Sequence, residues 1–399
     1  MQGSKYEAVD DGQGRTHVPL LVIGAGPYGL ATAACAKNAG IEQLVVGEPM
    51  AFWRDNMPAG MFLRSGADWH LDAAGVNTFE AYLDERGIDP SDVDPIPVAL
   101  FLDYVGWFEE KEGIDVVPDL VRELSKPNGR FEATLESGRR VSADAVVAAP
   151  GISHFTVIPE WVERDLPPER WAHTCNLVHF EQLRGKRVMI VGGRQSAFEW
   201  AALLADGGAE EVHVVYRHDT PEFTTSDWHF VDPLMDLTAT VPGWFRHLPA
   251  EEREAVAKRF WAEGRLKLEP WLTPRLDKPS VHRWPNESVV SCGEAPGGEI
   301  QAELSDGTRL MLDFVVLATG YKPDMRAVPY LSGVIDAMDL VDGFPVLDDN
   351  FQSSVPGLFV TGFPATRDFG PFFGFVRGCP VAAALTTAGL EQALGRTHA

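Results

Sequence analysis

The sequence predicts an α/β protein in which one three-layer, doubly wound unit is used twice. Three observations carry that prediction. Two glycine-rich turns, Gly24-Ala25-Gly26-Pro27-Tyr28-Gly29 and Gly192-Gly193-Arg194-Gln195-Ser196-Ala197, stand 168 positions apart. Each follows a short apolar run, Leu21-Val22-Ile23 or Val188-Met189-Ile190-Val191, and each opens into an alanine-rich stretch. Two matching segments, Phe131–Val141 and Ile300–Leu310, lead into apolar strands that end at Gly151 and Gly320, aligned without a gap at an offset of 169. Shared spacing in two separate features marks a repeat rather than a chance likeness.

The chemistry follows from the turns. A strand that ends in glycines and opens a helix brings the backbone and the positive helix N-terminus up to a pyrophosphate. Two such turns make two Rossmann-like dinucleotide-binding units, and therefore electron transfer between two dinucleotides. The first 18 residues are polar and acidic, without the basic and apolar runs of a secretory signal, and read as a disordered lead-in. Strand 19–23, turn 24–29, a helix from Leu30 to about Asn38, a stop at Gly40 and strand Leu44–Val46 complete the first β-α-β. Glu48 stands 19 residues past Gly29, either as acceptor for ribose hydroxyls or as a solvated loop carboxylate.

A loop-rich stretch over 49–78 carries Trp53, Met57, Met61, Leu63, Arg64, Ser65, Asp68 and His70. Residues 98–111 have the apolar spacing of a core helix. The hairpin around Ser137-Gly138 and its following strand end at Gly151, and a link bearing Pro159, Pro167 and Pro168 leads to the second unit. That unit's second strand is Val212–Val215, followed by Arg217. Between about 219 and 285 the pattern is interrupted by a helical insertion holding Trp228, Trp244, Trp261, Trp271 and Trp284, with a helix predicted over Ala250–Leu268. The insertion reads as a lid over a substrate pocket, or as a covering subdomain or dimer contact. After Gly320 the chain returns to the first unit, through a strand ending at Gly362, an aromatic run over 369–375 and a closing helix at about 380–394. The predicted domains are 1–155 with 318–399, and 156–317.

Composition narrows the function. A formal charge of −24 argues against nucleic-acid partners, which need a concentrated basic surface. No run approaches the roughly 18 apolar residues of a membrane span. The four cysteines are scattered, with no C-x-x-C pair, which excludes thioredoxin-reductase-like dithiol chemistry and fits a reducing cytoplasm. The eleven histidines show no metal-ligand spacing, so no metal site is expected and redox chemistry falls to organic cofactors.

With these turns, hairpins and Ala318-Thr319-Gly320-Tyr321, the chain resembles the two-dinucleotide-binding-domain flavoproteins. More narrowly, it resembles the class B flavoprotein monooxygenases, a group of ornithine and lysine N-hydroxylases, flavin-containing monooxygenases and Baeyer-Villiger monooxygenases. The resemblance implies FAD on Gly24, Gly26 and Gly29, with Trp53, Met57, Met61, Leu63, Arg64 and Ser65 beside the flavin ring and Thr361-Gly362 near its closure; Gly320 is a further cofactor-binding candidate. It implies NADPH on Gly192, Gln195, Ser196 and Ala197, with Arg217 at the 2′-phosphate, a contact that suits a guanidinium fork.

The departures are specific. Arg194 replaces the second turn's middle glycine, where it either crowds the pyrophosphate or sets a guanidinium against it. Phe363 stands where an acidic residue usually follows Gly362. The F-x-G-x-x-x-H fingerprint is broken at Pro167 and Glu169, though His173 occupies its last position, and Gly66 falls where flavin-containing monooxygenases place an asparagine.

The implied reaction passes a hydride from NADPH to FAD, then one oxygen atom of O2, by way of a flavin C4a adduct, to a small N-, S- or carbonyl-containing substrate. Arg64, as a cation near the ring, and Asp68, as a proton manager, are the candidate catalytic side chains; a salt bridge within the loop is the alternative for both. A flavin reductase or oxidase without oxygen transfer, or a non-catalytic flavin-binding protein, shares the same motifs. The class often pairs, which leaves a homodimer open alongside a monomer.

Overall fold

The computed structural model describes residues 9–10 and 15–396. In chain order, the first part contains β1 (Arg15–Ile23), α1 (Pro27–Asn38), β2 (Gln43–Val46), the short α2 (Ala51–Asp55), α3 (Val98–Glu112), β3 (Val116–Val117), β4 (Val121–Ser125), β5 (Phe131–Leu135) and β6 (Arg140–Ala148). The middle contains β7 (Trp171–His173), β8 (Arg187–Val191), α4 (Gln195–Asp206), β9 (Glu211–Tyr216), α5 (Ala250–Phe260), β10 (Val281–Pro285), β11 (Val289–Glu294), β12 (Ile300–Leu304), β13 (Arg309–Leu312) and β14 (Phe314–Leu317). β15 (Leu358–Val360) and α6 (Cys379–Ala393) follow near the end.

The first sheet runs β3-β2-β1-β6-β5-β4, with β15 beside β6. Its core β3-β2-β1-β6-β15 is parallel. β6 changes partner along its length: residues 140–143 pair antiparallel with β5, and 146–148 pair parallel with β15. The second sheet, β10-β9-β8-β14-β7, is entirely parallel, and β11-β12-β13 forms an antiparallel sheet beside it. This is the predicted architecture, two dinucleotide-binding folds in one chain, with the first sheet taking its last parallel strand from beyond residue 320.

The duplication extends to single residues. Asp144 and Asp313 occupy matched positions, but in the second copy the strand breaks there into β13 and β14. Asp313 takes the Arg187 amide at 2.8 Å and the Arg187 guanidinium at 3.1 Å. Helix α1 is buried along nearly its whole length and packs by its alanines against the first sheet and α6. Alanine permits that close approach at no cost in helix propensity.

Four boundaries differ from the sequence reading. β1 starts at Arg15 rather than 19, because the outer half of β6 supplies partners for 15–18; the two-residue strand Val9–Asp10 pairs with Thr16 and His17. The rest of the predicted lead-in lies outside the described residues. Helix α1 starts at Pro27 rather than Leu30, since a fixed φ and a missing N–H suit proline to the first helical turn. Helix α5 ends at Phe260, where a π-turn over Trp261–Arg265 brings Gly264 under the Trp228 ring; a Cβ there would lie 2.4 Å from ring carbons. Finally, 281–285 belongs to the sheet as the edge strand β10, so the insertion closes before it.

The insertion joins the two cores. Trp228, Phe230 and Phe260 are part of the first, whereas Leu268, Leu272 and Leu276 are part of the second. The two chain crossings between units also run side by side: the Val157 amide donates to the Gly320 carbonyl at 3.0 Å, and the Lys322 amide to that of Phe155 at 2.8 Å.

Two candidate dinucleotide sites and the junction between them

In the first turn, each glycine has its own reason. Gly24 has φ +109°, and a Cβ on it would lie 2.3 Å from the Ala149 carbonyl oxygen. Gly29 lies under that turn, where a Cβ would meet the Gly24 oxygen at 1.8 Å. Gly26 is different: nothing lies within 4 Å of its Cβ position, and it begins α1 with no side-chain cap. The backbone is therefore open at the one place where a diphosphate would approach a helix N-terminus. Gly47 (φ +146°) packs on Ala25, and Glu48, just past β2, is exposed with its carboxylate 3.9 Å from Arg54.

Met50 holds a left-handed backbone, φ +52°, with its amide donating to the Ala25 carbonyl at 2.9 Å. Sequence reasoning missed this residue, since nothing local requires a methionine to adopt a conformation that costs on the order of 1 kcal/mol or more. Gly362 has φ +82°, and a Cβ on it would lie 3.3 Å from the Tyr28 ring; the neighbouring Thr361 hydroxyl is buried without a partner.

The second turn repeats the first. Gly192 has φ +142°, and a Cβ would lie 2.4 Å from the Ala318 oxygen; its amide donates to Val215 as that of Gly24 does to Val46. Arg194 has φ −110° and ψ −176°, close to the −88° and −176° of Gly26, so the backbone there never needed glycine. Its guanidinium lies over the Trp261 ring, 4.8 Å from the centroid, turned toward the insertion. Gly193 has no room either: a Cβ would lie 2.4 Å from that of Tyr216. Ser196 is exposed in the first turn of α4, Arg217 is exposed just beyond β9, and Ala197 is buried. Gly320 (φ +79°) lies in the paired crossings, where its carbonyl also receives His173 Nε2 at 3.2 Å.

The stretch that follows α2, ahead of a helix at Phe79–Arg86, is held from two sides. The Trp53 and Phe101 rings meet at a tilt of 41° with centroids 4.8 Å apart, Met61 packs between the two cores, and the Leu63 amide donates to the Ile96 carbonyl at 2.8 Å. A cavity of about 540 Å³ opens here, lined by Arg64, Ser65, Asp68, Trp228 and Trp271 among others. The Arg64 guanidinium crosses to the insertion. Its Nε donates to Glu269 Oε1 at 2.7 Å, and its Nη2 reaches Ser226 Oγ (2.8 Å) and the carbonyls of Gly264 (2.9 Å) and Lys267 (3.0 Å). These donors are committed to protein acceptors, so Arg64 works as a tie; the ion pair is with the insertion, not within the loop. Asp68 faces the cavity.

Gln195 bridges the same junction: its side-chain N–H donates to Glu199 at 2.7 Å and its oxygen accepts from the Glu269 amide at 3.2 Å. Burial pushes the Glu199 carboxyl up to about 7. A carboxyl raised in the folded state contributes stability that is complete below its unfolded value, near 4.5, and lost as pH rises through 7. Glu199→Gln is accordingly expected to remove this loss and to be more stable than the parent by about 2–3 kcal/mol at alkaline pH. Denaturant midpoints measured on either side of that window read it directly.

Among the described residues, one trio brings metal-ligating atoms within 4.8 Å of one another: Glu211, His213 and His282. Trp284 Nε1–H donates to His213 Nδ1 at 3.2 Å, which puts the proton on Nε2, facing Glu211 at 3.2 Å. The nitrogen a metal needs is therefore the protonated one, and the trio reads as structural.

Comparison with known proteins agrees with this geometry. The chain is 27% identical over 331 residues to the FAD-dependent urate hydroxylase of Xanthomonas campestris pv. campestris, covering 73% of this chain and 66% of that one. Among solved structures, the L-lysine 6-monooxygenase of Pseudomonas syringae superposes with a TM-score of 0.75 at 21% identity, covering 94% of this chain and all of the other. The ornithine N-hydroxylase of Kutzneria sp. 744, solved with reduced FAD, NADP+ and L-ornithine, superposes at 0.77 with 17% identity, covering 94% and 99%. At such identities the structural likeness establishes the fold. A family model matches residues 18–234, more than half of the chain and both glycine turns, and by that match the chain belongs to the pyridine nucleotide-disulphide oxidoreductase family.

Proposed function

We propose that this protein is an NADPH-dependent, FAD-containing monooxygenase acting on a small N-, S- or carbonyl-containing substrate. The observation that carries the proposal is the duplicated cradle: two turns that each exclude a Cβ at the first glycine, each open an uncapped helix, and each adjoin side chains that meet on one insertion. The family's name evokes a disulphide, but the sequence holds no C-x-x-C pair, so the dithiol route of thioredoxin-reductase-like flavoproteins is closed.

The residues present fit both cofactors. Gly24, Gly26 and Gly29 would hold the FAD diphosphate, Glu48 its ribose, and Trp53, Met61, Leu63, Ser65 and Gly362 its walls, with Gly320 at the crossing. Gly192, Arg194, Gln195 and Ser196 surround the NADPH turn, and Arg217 would take the 2′-phosphate. When bound, the pair supplies hydride transfer and activation of O2; the chain's own residues orient the two and keep water out. Arg64 and Gln195 do this by fixing the insertion over the junction, and Asp68 is the carboxylate available on the cavity wall. The working units are 1–155 with 318–399, and 156–317. We further propose a cytoplasmic homodimer; no helix among the described residues is long and apolar enough to cross a membrane.

Turnover under 18O2 tests the reading, with a panel of L-lysine, L-ornithine, urate and a thioether. The expected outcome is one labelled oxygen atom in the product per NADPH consumed. Label recovered entirely as hydrogen peroxide, with every panel member unchanged, supports an oxidase instead.

A further inference from the structure

Two arginines at the junction have no counter-charge. Arg194 and Arg265 both lie over the Trp261 ring, at 4.8 and 4.9 Å, and Arg265 also lies over Phe375 at 5.5 Å. Neither forms an ion pair among the described residues, in a protein with 58 acidic residues and a charge of −24. Glu269, the nearby carboxylate, is taken by Arg64 at 2.7 Å. Arg194 Nη1 and Trp228 Nε1 are buried with no acceptor. Trp271 Nε1 is a third such donor, and the one orphaned acceptor nearby, Glu199 Oε1, belongs to a carboxyl that burial holds toward its neutral form. The two half-buried guanidinium groups therefore lack an anion, and a desolvated charge without a partner is costly until one arrives.

We infer that Arg194 and Arg265 anchor a carboxylate on the substrate, whose planar or apolar body lies against Trp228, Trp261 and Phe375. This rests on the monooxygenase reading and deepens it, from a small molecule to an aromatic or apolar carboxylate. Two features favour a substrate group over the phosphates of NADPH. Arg265 belongs to the insertion and lies over Phe375 of the chain's return leg as well as over Trp261, so its contacts extend beyond the second turn. The phosphate-reading role also has its own candidate, Arg217, exposed beyond β9. Burial and the neighbouring guanidinium groups hold Arg265 down to about 10, the direction expected of cations crowded together without an anion. Sequence reasoning missed Arg265; a basic residue inside a tryptophan-rich insertion was the available signal.

Benzoate and its neutral isostere benzamide test this on the FAD-loaded protein, read by perturbation of the flavin spectrum and by quenching of tryptophan fluorescence. Benzoate is expected to bind at least about tenfold more tightly than benzamide, a difference of about 1.4 kcal/mol. Arg265→Gln and Arg194→Gln are each expected to erase that preference while FAD affinity stays unchanged. Arg265→Lys should restore part of it. Because an unpaired, half-buried cation destabilises the ligand-free protein, Arg265→Met is expected to raise its thermal midpoint by about 2 °C or more.

Equal binding of the two probes by the unmodified protein would overturn the inference, whether or not the variants fold. So would an Arg265→Gln protein that keeps benzoate but loses NADPH, since the anion would then be the cofactor's phosphate. Tryptophan quenching by benzoate does not require flavin, so a protein that binds benzoate but not FAD retires the monooxygenase reading and leaves the anion site standing.

Discussion

Gly29→Ala is expected to cost about 3–5 kcal/mol of folding stability and to leave a protein that does not retain FAD, because one methyl group would press into the turn it supports. The Cβ position lies 1.8 Å from the Gly24 carbonyl oxygen, which is backbone and cannot rotate away. Helix α1 must then move off β1, taking its uncapped N-terminus with it. Gly26→Val is the contrasting change. Gly26 has an extended backbone that valine accepts, and nothing within 4 Å, so its thermal midpoint should stay near the parent's. Its FAD affinity should nevertheless fall at least about tenfold, since the added side chain fills the space a diphosphate would use. Thermal midpoints with and without added FAD separate the two: Gly29→Ala lowers both, whereas Gly26→Val loses only the FAD-dependent rise. Equal midpoints for the two variants would contradict the assignment of steric roles.

Arg64→Ala carries the second large effect. It leaves the Glu269 carboxylate, whose side chain is 4% exposed, without its cation and strips donors from Ser226, Gly264 and Lys267. Removing one partner of a buried pair typically costs about 3–5 kcal/mol. The loss should be local, because these contacts pin the insertion to the stretch that follows α2. Limited proteolysis should therefore cut within 219–280 well before the sheets unfold. Pairing Arg64→Ala with Glu269→Ala should recover part of the stability, since no buried charge is then stranded. If instead Arg64→Ala is as protease-resistant as the parent and only its redox behaviour changes, Arg64 serves the flavin rather than the fold.

Much of this was legible in the chain. Gly24 and Gly29 could be read because their constraint is local: a turn and a helix a few residues apart. The hairpins were readable from their alternation, and α3 from its spacing. Features set by distant partners were not. Arg64 meets Glu269 across 205 positions, and no local pattern announces that pairing. The extra residues of β1 exist because β6 is long enough to pair with them. Arg194 looked like a defect in a glycine turn, yet its backbone matches that of Gly26 and its side chain has its own ring to rest on. The early end of α5 follows from Trp228 occupying the space above Gly264. In each case the deciding atom comes from a segment remote in sequence.

The central claim is that one polypeptide seats a flavin and a nicotinamide nucleotide close enough for a hydride to cross. Mixing FAD-loaded protein with NADPH in the absence of oxygen tests it most directly. The account predicts that the yellow absorbance of oxidised flavin bleaches within a single mixing event, and that NADPH deuterated at nicotinamide C4 slows the bleaching. A protein that binds both nucleotides yet keeps its flavin oxidised would contradict it.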